Sequence, residues 1–161
     1  MDSMPNPSLA GTEDASEHAP ILSLVLAYGA MVPLLAGALA SWVLPAPWDA
    51  AALRATLAWA GALLCFFSGV RRGLSFRQPG GATLMQVLGT LLFFGLGAAS
   101  LLSPWPLAAA ILVLAGYAIM LVLDPIAARR GEAPRYFARL RPVQLLLPLA
   151  GVAALLPKLL G

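Results

Sequence analysis

Charged residues, histidine and cysteine are all scarce in this chain. Only 11% of its 161 residues are charged, against about 25% in an ordinary soluble domain. The one histidine is His18 and the one cysteine is Cys65, which excludes an intrachain disulfide. No set of histidine, cysteine and carboxylate residues has the spacing of a metal site, a haem site or a nucleophilic triad. The sequence therefore predicts no cofactor and no catalysis by this chain alone.

Long apolar runs take the place of the missing charge, since 60% of the residues are hydrophobic. Each run has the length of an α-helix that crosses a hydrocarbon core of about 30 Å. In lipid, every backbone polar group must be satisfied within the segment or against protein, which requires helices. We predict one all-α domain over residues 21–161, a bundle of five transmembrane helices. The runs are 21–44, 52–70, 82–102, 106–123 and 144–160.

The distribution of basic residues predicts how the bundle lies in the membrane. Residues 1–20 contain acids but no Lys or Arg, which is unlike a signal peptide and typical of a disordered tail. Eight of the ten Lys and Arg residues fall on the same side as this tail. The positive-inside rule then places the N-terminus in the cytoplasm and the C-terminus in the periplasm of a bacterial inner membrane, or the mitochondrial equivalent. Trp42, Trp48 and Trp105 fall at the opposite interface, which indoles favour.

The basic loop between the fourth and fifth runs predicts a short interfacial helix over residues 135–141. Pro134 would begin this helix and Pro142 would end it. Aromatic residues on one face and arginines on another are typical of a helix that lies in the plane of the interface. Its role is either general anchoring or the binding of an anionic lipid, such as cardiolipin, or of an acidic partner. The candidate residues for that binding are Arg71, Arg72, Arg135, Arg139 and Arg141.

The end of the second run predicts a helix-packing surface and an ion pair. Ser68, Gly69 and Gly73 leave one face nearly bare, which lets another helix approach closely. Asp124, at the end of the fourth run, is the only acid near that end of the helices. A charge at this depth favours a partner, and we expect Arg71, Arg72 or Arg129. The alternative is that headgroups and water solvate these groups separately.

Three stretches of the chain resemble the small membrane proteins grouped with transmembrane protein 69, a family of unknown function. They are Tyr28-Gly29 with Pro33, the run 66–71 with Gly73, and the block from Asp124 to Arg141. Arg72 departs from the pattern, because an aromatic residue usually stands there in the family. The resemblance implies a five-helix inner-membrane protein with no assigned reaction.

Three classes of function remain. Because catalytic chemistry is missing, the sequence favours an accessory or assembly subunit that packs against a larger membrane complex, such as a respiratory or photosynthetic one. The alternatives are a small oligomeric channel or carrier, and a protein that handles lipids or quinones. A polar cavity between the second, third and fourth helices that reaches Gln86 would favour either alternative. A flat apolar face matched to a neighbour would favour the subunit.

Overall fold

The structure, a computed structural model, describes residues 21–75, 81–130 and 137–161. Every regular element in these ranges is an α-helix, which confirms the all-α prediction for this part of the chain. The predicted disordered tail, residues 1–20, lies outside the described residues. The helices are α1 (Ile21–Gly29), α2 (Val32–Val43), α3 (Trp48–Ser75), α4 (Leu84–Leu102), α5 (Pro106–Arg129), α6 (Phe137–Ala153) and α7 (Leu156–Leu160).

Within the described ranges, four stretches are long and apolar enough to cross a membrane, one fewer than the sequence predicts. They are Trp48–Ser75, Leu84–Leu102, Pro106–Arg129 and Leu140–Leu160. The first predicted run is instead divided into two helices: α1 ends at Gly29 and α2 begins at Val32. Pro33 has no N–H to donate to the carbonyl of Gly29, so a continuous helix would lose a hydrogen bond there. The described residues thus contain four candidate spans and one divided apolar run.

Three helices run further than their apolar runs. Helix α3 spans Trp48–Ser75, beyond both ends of the predicted run 52–70. Helix α5 has 24 residues and continues past the predicted end at residue 123, through Asp124 and Pro125. Helix α6 contains both Pro142 and Pro148 as internal residues. The prediction of a separate interfacial helix that ends at Pro142 is therefore wrong. Residues 137–141 form the start of α6, which continues through Pro142. A proline inside a helix removes one hydrogen bond, and the packing of α6 along α5 outweighs that local cost.

The helices form a bundle whose two ends differ in chemistry. Helix α3 packs against α2, α4 and α5, and α5 also packs against α6. The end that carries Trp42, Trp48 and Trp105 is called the tryptophan end. The opposite end, where α3 and α5 finish and α4 begins, is called the basic end. Between them, large side chains of α3, α4 and α5 are fully buried: Leu64, Phe93, Tyr117 and Met120.

Helices α3 and α4 approach each other closely at a pair of glycines, Gly61 and Gly97. A Cβ atom on Gly97 would lie 2.8 Å from the carbonyl oxygen of Gly61 and 2.7 Å from Sγ of Cys65. Because real Cβ atoms do not approach other atoms so closely, glycine is needed at position 97. The small-residue contact within this chain therefore lies near the middle of α3, not at the Ser68–Gly73 end that the sequence singled out.

Side chains from other helices satisfy the backbone where the first run is divided. The N–H of Met31 donates to Tyr28 O at 2.9 Å, and it is therefore turned away from the carbonyl of Ala27. Gln144 Nε2 donates to Ala27 O at 3.1 Å, and Trp59 Nε1 donates to Ala30 O at 2.8 Å. A break inside an apolar bundle needs such partners, because no water is available to replace them.

Replacing Trp59 with Phe tests this support. The Trp59→Phe variant keeps an aromatic ring but leaves the carbonyl of Ala30 without the indole donor. We expect the free energy of unfolding to fall by about 1–3 kcal/mol, the cost of leaving such an acceptor unsatisfied. Trp105→Phe is the control, because Trp105 is 71% exposed. Thermal unfolding in a mild detergent measures both variants, and equal losses would contradict the assigned role of Trp59.

Candidate functional site

A buried ion-pair cluster joins three helices at the basic end. Asp124 is only 5% exposed, because it lies on the buried stripe of α5 with Tyr117, Met120 and Ala128. Arg71 Nη1 donates to Asp124 Oδ1, and Arg141 Nε lies 3.6 Å from Asp124 Oδ2. We call Arg71, Asp124 and Arg141 the Asp124 cluster. It connects α3, α5 and α6 through one carboxylate.

Aromatic rings complete the surroundings of the two arginines. The guanidinium carbon of Arg71 lies 5.2 Å from the centre of the Phe93 ring, and that of Arg141 lies 4.7 Å from Phe67. The negative face of a ring attracts a cation at such distances. One carboxylate balances only one of the two positive charges, so the rings add stabilisation where the cluster carries a net charge of +1.

The structure distinguishes among the partners considered for Asp124. Arg71 is the one whose guanidinium meets the carboxylate. Arg72 Nη1 instead lies 3.4 Å from Ser75 Oγ, within α3. Arg129 is exposed. The carboxylate is therefore held inside the bundle and is not solvated separately.

Arg141 lies inside the bundle, and not at its surface as the sequence predicts. It was expected on the surface, available to lipid or a partner, but it is only 4% exposed and belongs to the Asp124 cluster. The periodicity of α6 contains the signal that was missed: Arg141 precedes buried Leu145, Pro148 and Val152 at intervals of three and four residues. Arg135 and the side chain of Arg139 lie outside the described residues.

The predicted packing surface of Ser68, Gly69 and Gly73 is divided between two faces of α3. Ser68 is buried, and its hydroxyl donates to Thr90 O of α4 at 2.7 Å. Gly69 and Gly73 are exposed, and a Cβ atom on either would meet nothing within 4 Å. Ser68 therefore serves packing within the chain, whereas the two glycines leave bare backbone at its surface.

A second ion pair, at the tryptophan end, was not predicted. Lys158 Nζ lies 2.8 Å from Asp49 Oδ2 and also donates to Ser41 O. The ammonium group lies 5.9 Å from the centre of the Trp42 ring. Both charged side chains are about one quarter exposed. This pair connects the short helix α7 to α2 and α3.

A cleft of about 810 Å³ lies at the basic end, between the first turns of α4 and the last turns of α5. Arg71, Thr83, Gln86 and Arg130 provide its polar groups. The rest of its lining is apolar: Met85, Leu88, Gly89, Leu92, Leu123, Ile126 and Ala127. It lies between the second, third and fourth predicted spans with Gln86 in its wall, where a polar cavity would favour lipid handling or transport, but most of its lining is apolar. Its size is within the usual range of ligand pockets.

Neutralising Asp124 tests the importance of the cluster. The Asp124→Asn variant leaves two guanidinium groups without their carboxylate in a buried place. We expect a loss of about 3–5 kcal/mol in the free energy of unfolding, typical of breaking a buried pair. Asp49→Asn makes the same chemical change in the partly exposed pair and should cost much less. Similar losses in thermal unfolding would contradict a special role for Asp124.

Comparisons with protein-family models, with curated proteins and with solved structures found no match to this chain. The resemblance to the transmembrane protein 69 family therefore stays a prediction from the sequence. The chemistry of this site has to be inferred from its own contacts: a paired carboxylate, two arginines held by aromatic rings, and an amphipathic cleft beside them.

Proposed function

We propose that the protein is a non-catalytic membrane subunit that packs against a larger membrane complex through helix α3. A respiratory or photosynthetic complex of a bacterial inner membrane, or a mitochondrial one, is the partner class. The observation that carries this proposal is the outer surface of α3, which exposes small residues along its length. The partner is an apolar helix of another membrane protein.

Small residues recur on the exposed face of α3 at seven-residue intervals. Ala55, Ala62 and Gly69 are all exposed, and exposed Gly73 follows one turn later. Two large residues flank this stripe: Trp59, which is 41% exposed, and Phe66, which is 61% exposed. A seven-residue repeat keeps a surface facing one partner helix along a left-handed pair. We call Ala55, Ala62, Gly69 and Gly73 the α3 stripe.

Helix α4 gives the contrast that makes the α3 stripe informative. Its exposed residues are mostly large and apolar: Leu84, Met85, Leu88, Leu91, Leu92 and Phe94. Such residues suit contact with acyl chains. Small residues suit contact with another helix, because association in lipid depends on close packing and not on a bulk hydrophobic drive. The difference between the two faces supports a protein partner on α3 and lipid on α4.

The channel or carrier alternative has less support. The middle of the bundle is filled by large apolar side chains such as Phe93 and Met120, and Tyr117 Oη donates to Ala60 O at 2.7 Å. The cleft at the basic end is lined mainly by apolar side chains. Among the described residues, the ion pairs lie at the two ends of the bundle: Arg71 and Arg141 with Asp124 at one end, and Lys158 with Asp49 at the other. These features favour a packing role over conduction through one chain.

The proposed topology has five spans, with the divided run of α1 and α2 as the first. The basic end then faces the cytoplasm, following the eight-to-two distribution of Lys and Arg. Reporters fused before Met1 and after Gly161 should read from the cytoplasm and the periplasm, respectively. Two reporters on the same side would show that the divided run does not cross.

Enlarging the α3 stripe tests the subunit proposal. In Gly69→Leu, the added side chain would prevent close approach of a partner helix, at a cost of about 1–3 kcal/mol. Insertion should be unchanged, because the helix stays apolar. Gly95→Leu is the matched control, since Gly95 lies on exposed α4 and a Cβ there would meet nothing within 4 Å.

Blue-native gels of membranes solubilised in mild detergent measure the association. We expect wild type and Gly95→Leu to migrate in a larger assembly and Gly69→Leu to migrate as the free subunit. If wild type migrates only as a monomer, or if both leucine variants dissociate equally, the proposed contact through α3 is wrong.

A further inference from the structure

We propose that the cleft between α4 and α5 binds an anionic glycerophospholipid. Its phosphate would lie between Arg71 and Arg130, and an acyl chain would follow the apolar wall formed by Leu88, Leu92, Leu123 and Ile126. This inference rests on the membrane placement in the proposed function. It does not require the proposed helix partner on α3, which lies on another surface.

The charges around the cleft suit a phosphate group. Arg71 and Arg130 both line it, and guanidinium groups bind phosphate oxygens through paired hydrogen bonds. The acid nearest to Arg71, Asp124, is already engaged by Arg71 and Arg141. Counting Arg71, Arg130, Arg141 and Asp124 together, this end of the cleft has a net charge of +2. A neutral amphiphile such as a quinone would leave this charge unused.

The Asp124 cluster holds Arg71 in a position to serve the cleft. One nitrogen of the guanidinium, Nη1, donates to Asp124. The other, Nη2, points towards Gly89, where a Cβ atom would lie 3.8 Å from it. Because Gly89 has no side chain, the wall of α4 leaves room beside this nitrogen. Arg71 can thus keep its ion pair and present its second edge to a ligand.

The apolar wall explains why the ligand is a lipid and not free phosphate. Along α4, the lining residues Thr83, Met85, Leu88 and Leu92 extend from the basic end towards the middle of the bundle. Nine residues of helix cover about 13 Å, a length suited to part of an acyl chain. Leu88 and Leu92 are 51% and 45% exposed, so a chain lying there would cover apolar surface. A water-soluble phosphate would leave that surface uncovered.

Native mass spectrometry of the full-length protein in detergent tests the proposal. The probes are phosphatidylglycerol, phosphatidylcholine with the same acyl chains, and glycerol phosphate. We expect wild type to retain phosphatidylglycerol about tenfold better than phosphatidylcholine, the effect of one charge-assisted contact. Glycerol phosphate should not be retained, because it lacks the chains. Equal retention of the two lipids, or retention of glycerol phosphate, would overturn the proposal.

Two neighbouring arginines give a matched pair of variants. Arg130→Gln removes a charge from the lining of the cleft and should abolish the preference for phosphatidylglycerol. Arg129→Gln removes the same charge from the preceding residue, which is exposed like Arg130 but lies outside that lining. It should retain the preference. Equal losses in both variants would show that a general basic surface, and not the cleft, selects the lipid.

A third variant tests the apolar part of the site without changing charge. In Gly89→Leu, the added side chain would occupy the cleft, and we expect retention of both lipids to fall about tenfold. Gly95→Leu on the same helix should behave as wild type. Carbonate extraction of membranes, applied to wild type and to every variant, shows whether each chain is inserted. It thereby distinguishes a failure to bind lipid from a failure to insert. A chain that stays inserted but shows no lipid preference contradicts only this inference, whereas an extracted wild type contradicts the membrane placement itself.

Discussion

Polar groups inside an apolar bundle must find their partners within that bundle, and this constraint shapes most of the structure. Burial removes water as an alternative partner, so an unpaired carboxylate or carbonyl is costly. The Asp124 carboxylate is therefore held by Arg71 and Arg141 from two other helices. Where the first apolar run is divided, Trp59 donates to the carbonyl of Ala30 and Gln144 donates to the carbonyl of Ala27. These contacts connect α3, α5 and α6 at the basic end and link the divided run to α3 and α6.

Helix α3 has a separate task on each of its faces. Its buried face meets α4 through Gly61 and Gly97, and its final turns place Arg71 beside Asp124. Its exposed face carries the small residues of the α3 stripe. The ion pair that stabilises the bundle also orients Arg71 towards the cleft. Internal stability and the proposed lipid site therefore depend on the same carboxylate.

The spacing of the charged residues relative to apolar ones carries a signal for the site that run length and net charge do not. Asp124 lies four residues from both buried Met120 and buried Ala128, and Arg141 lies four residues before buried Leu145. Both charges therefore lie on buried stripes, although each was expected near a helix end. The prolines were misleading in the same region. Pro142 predicts a helix end, yet α6 continues through it because packing against α5 outweighs one lost hydrogen bond.

Three properties could be predicted from the sequence: the helical class, the apolar segments, and the clustering of basic residues near one end of several of them. These properties are local, since run length, hydropathy and charge need no knowledge of neighbours. The packed bundle was needed to show that Arg71 and Arg141 share Asp124, that the first run divides, and that Arg130 joins Arg71 at one cleft. Each of these depends on which residues of different helices come within a few ångströms, and that distance is a property of packing, not of any single segment.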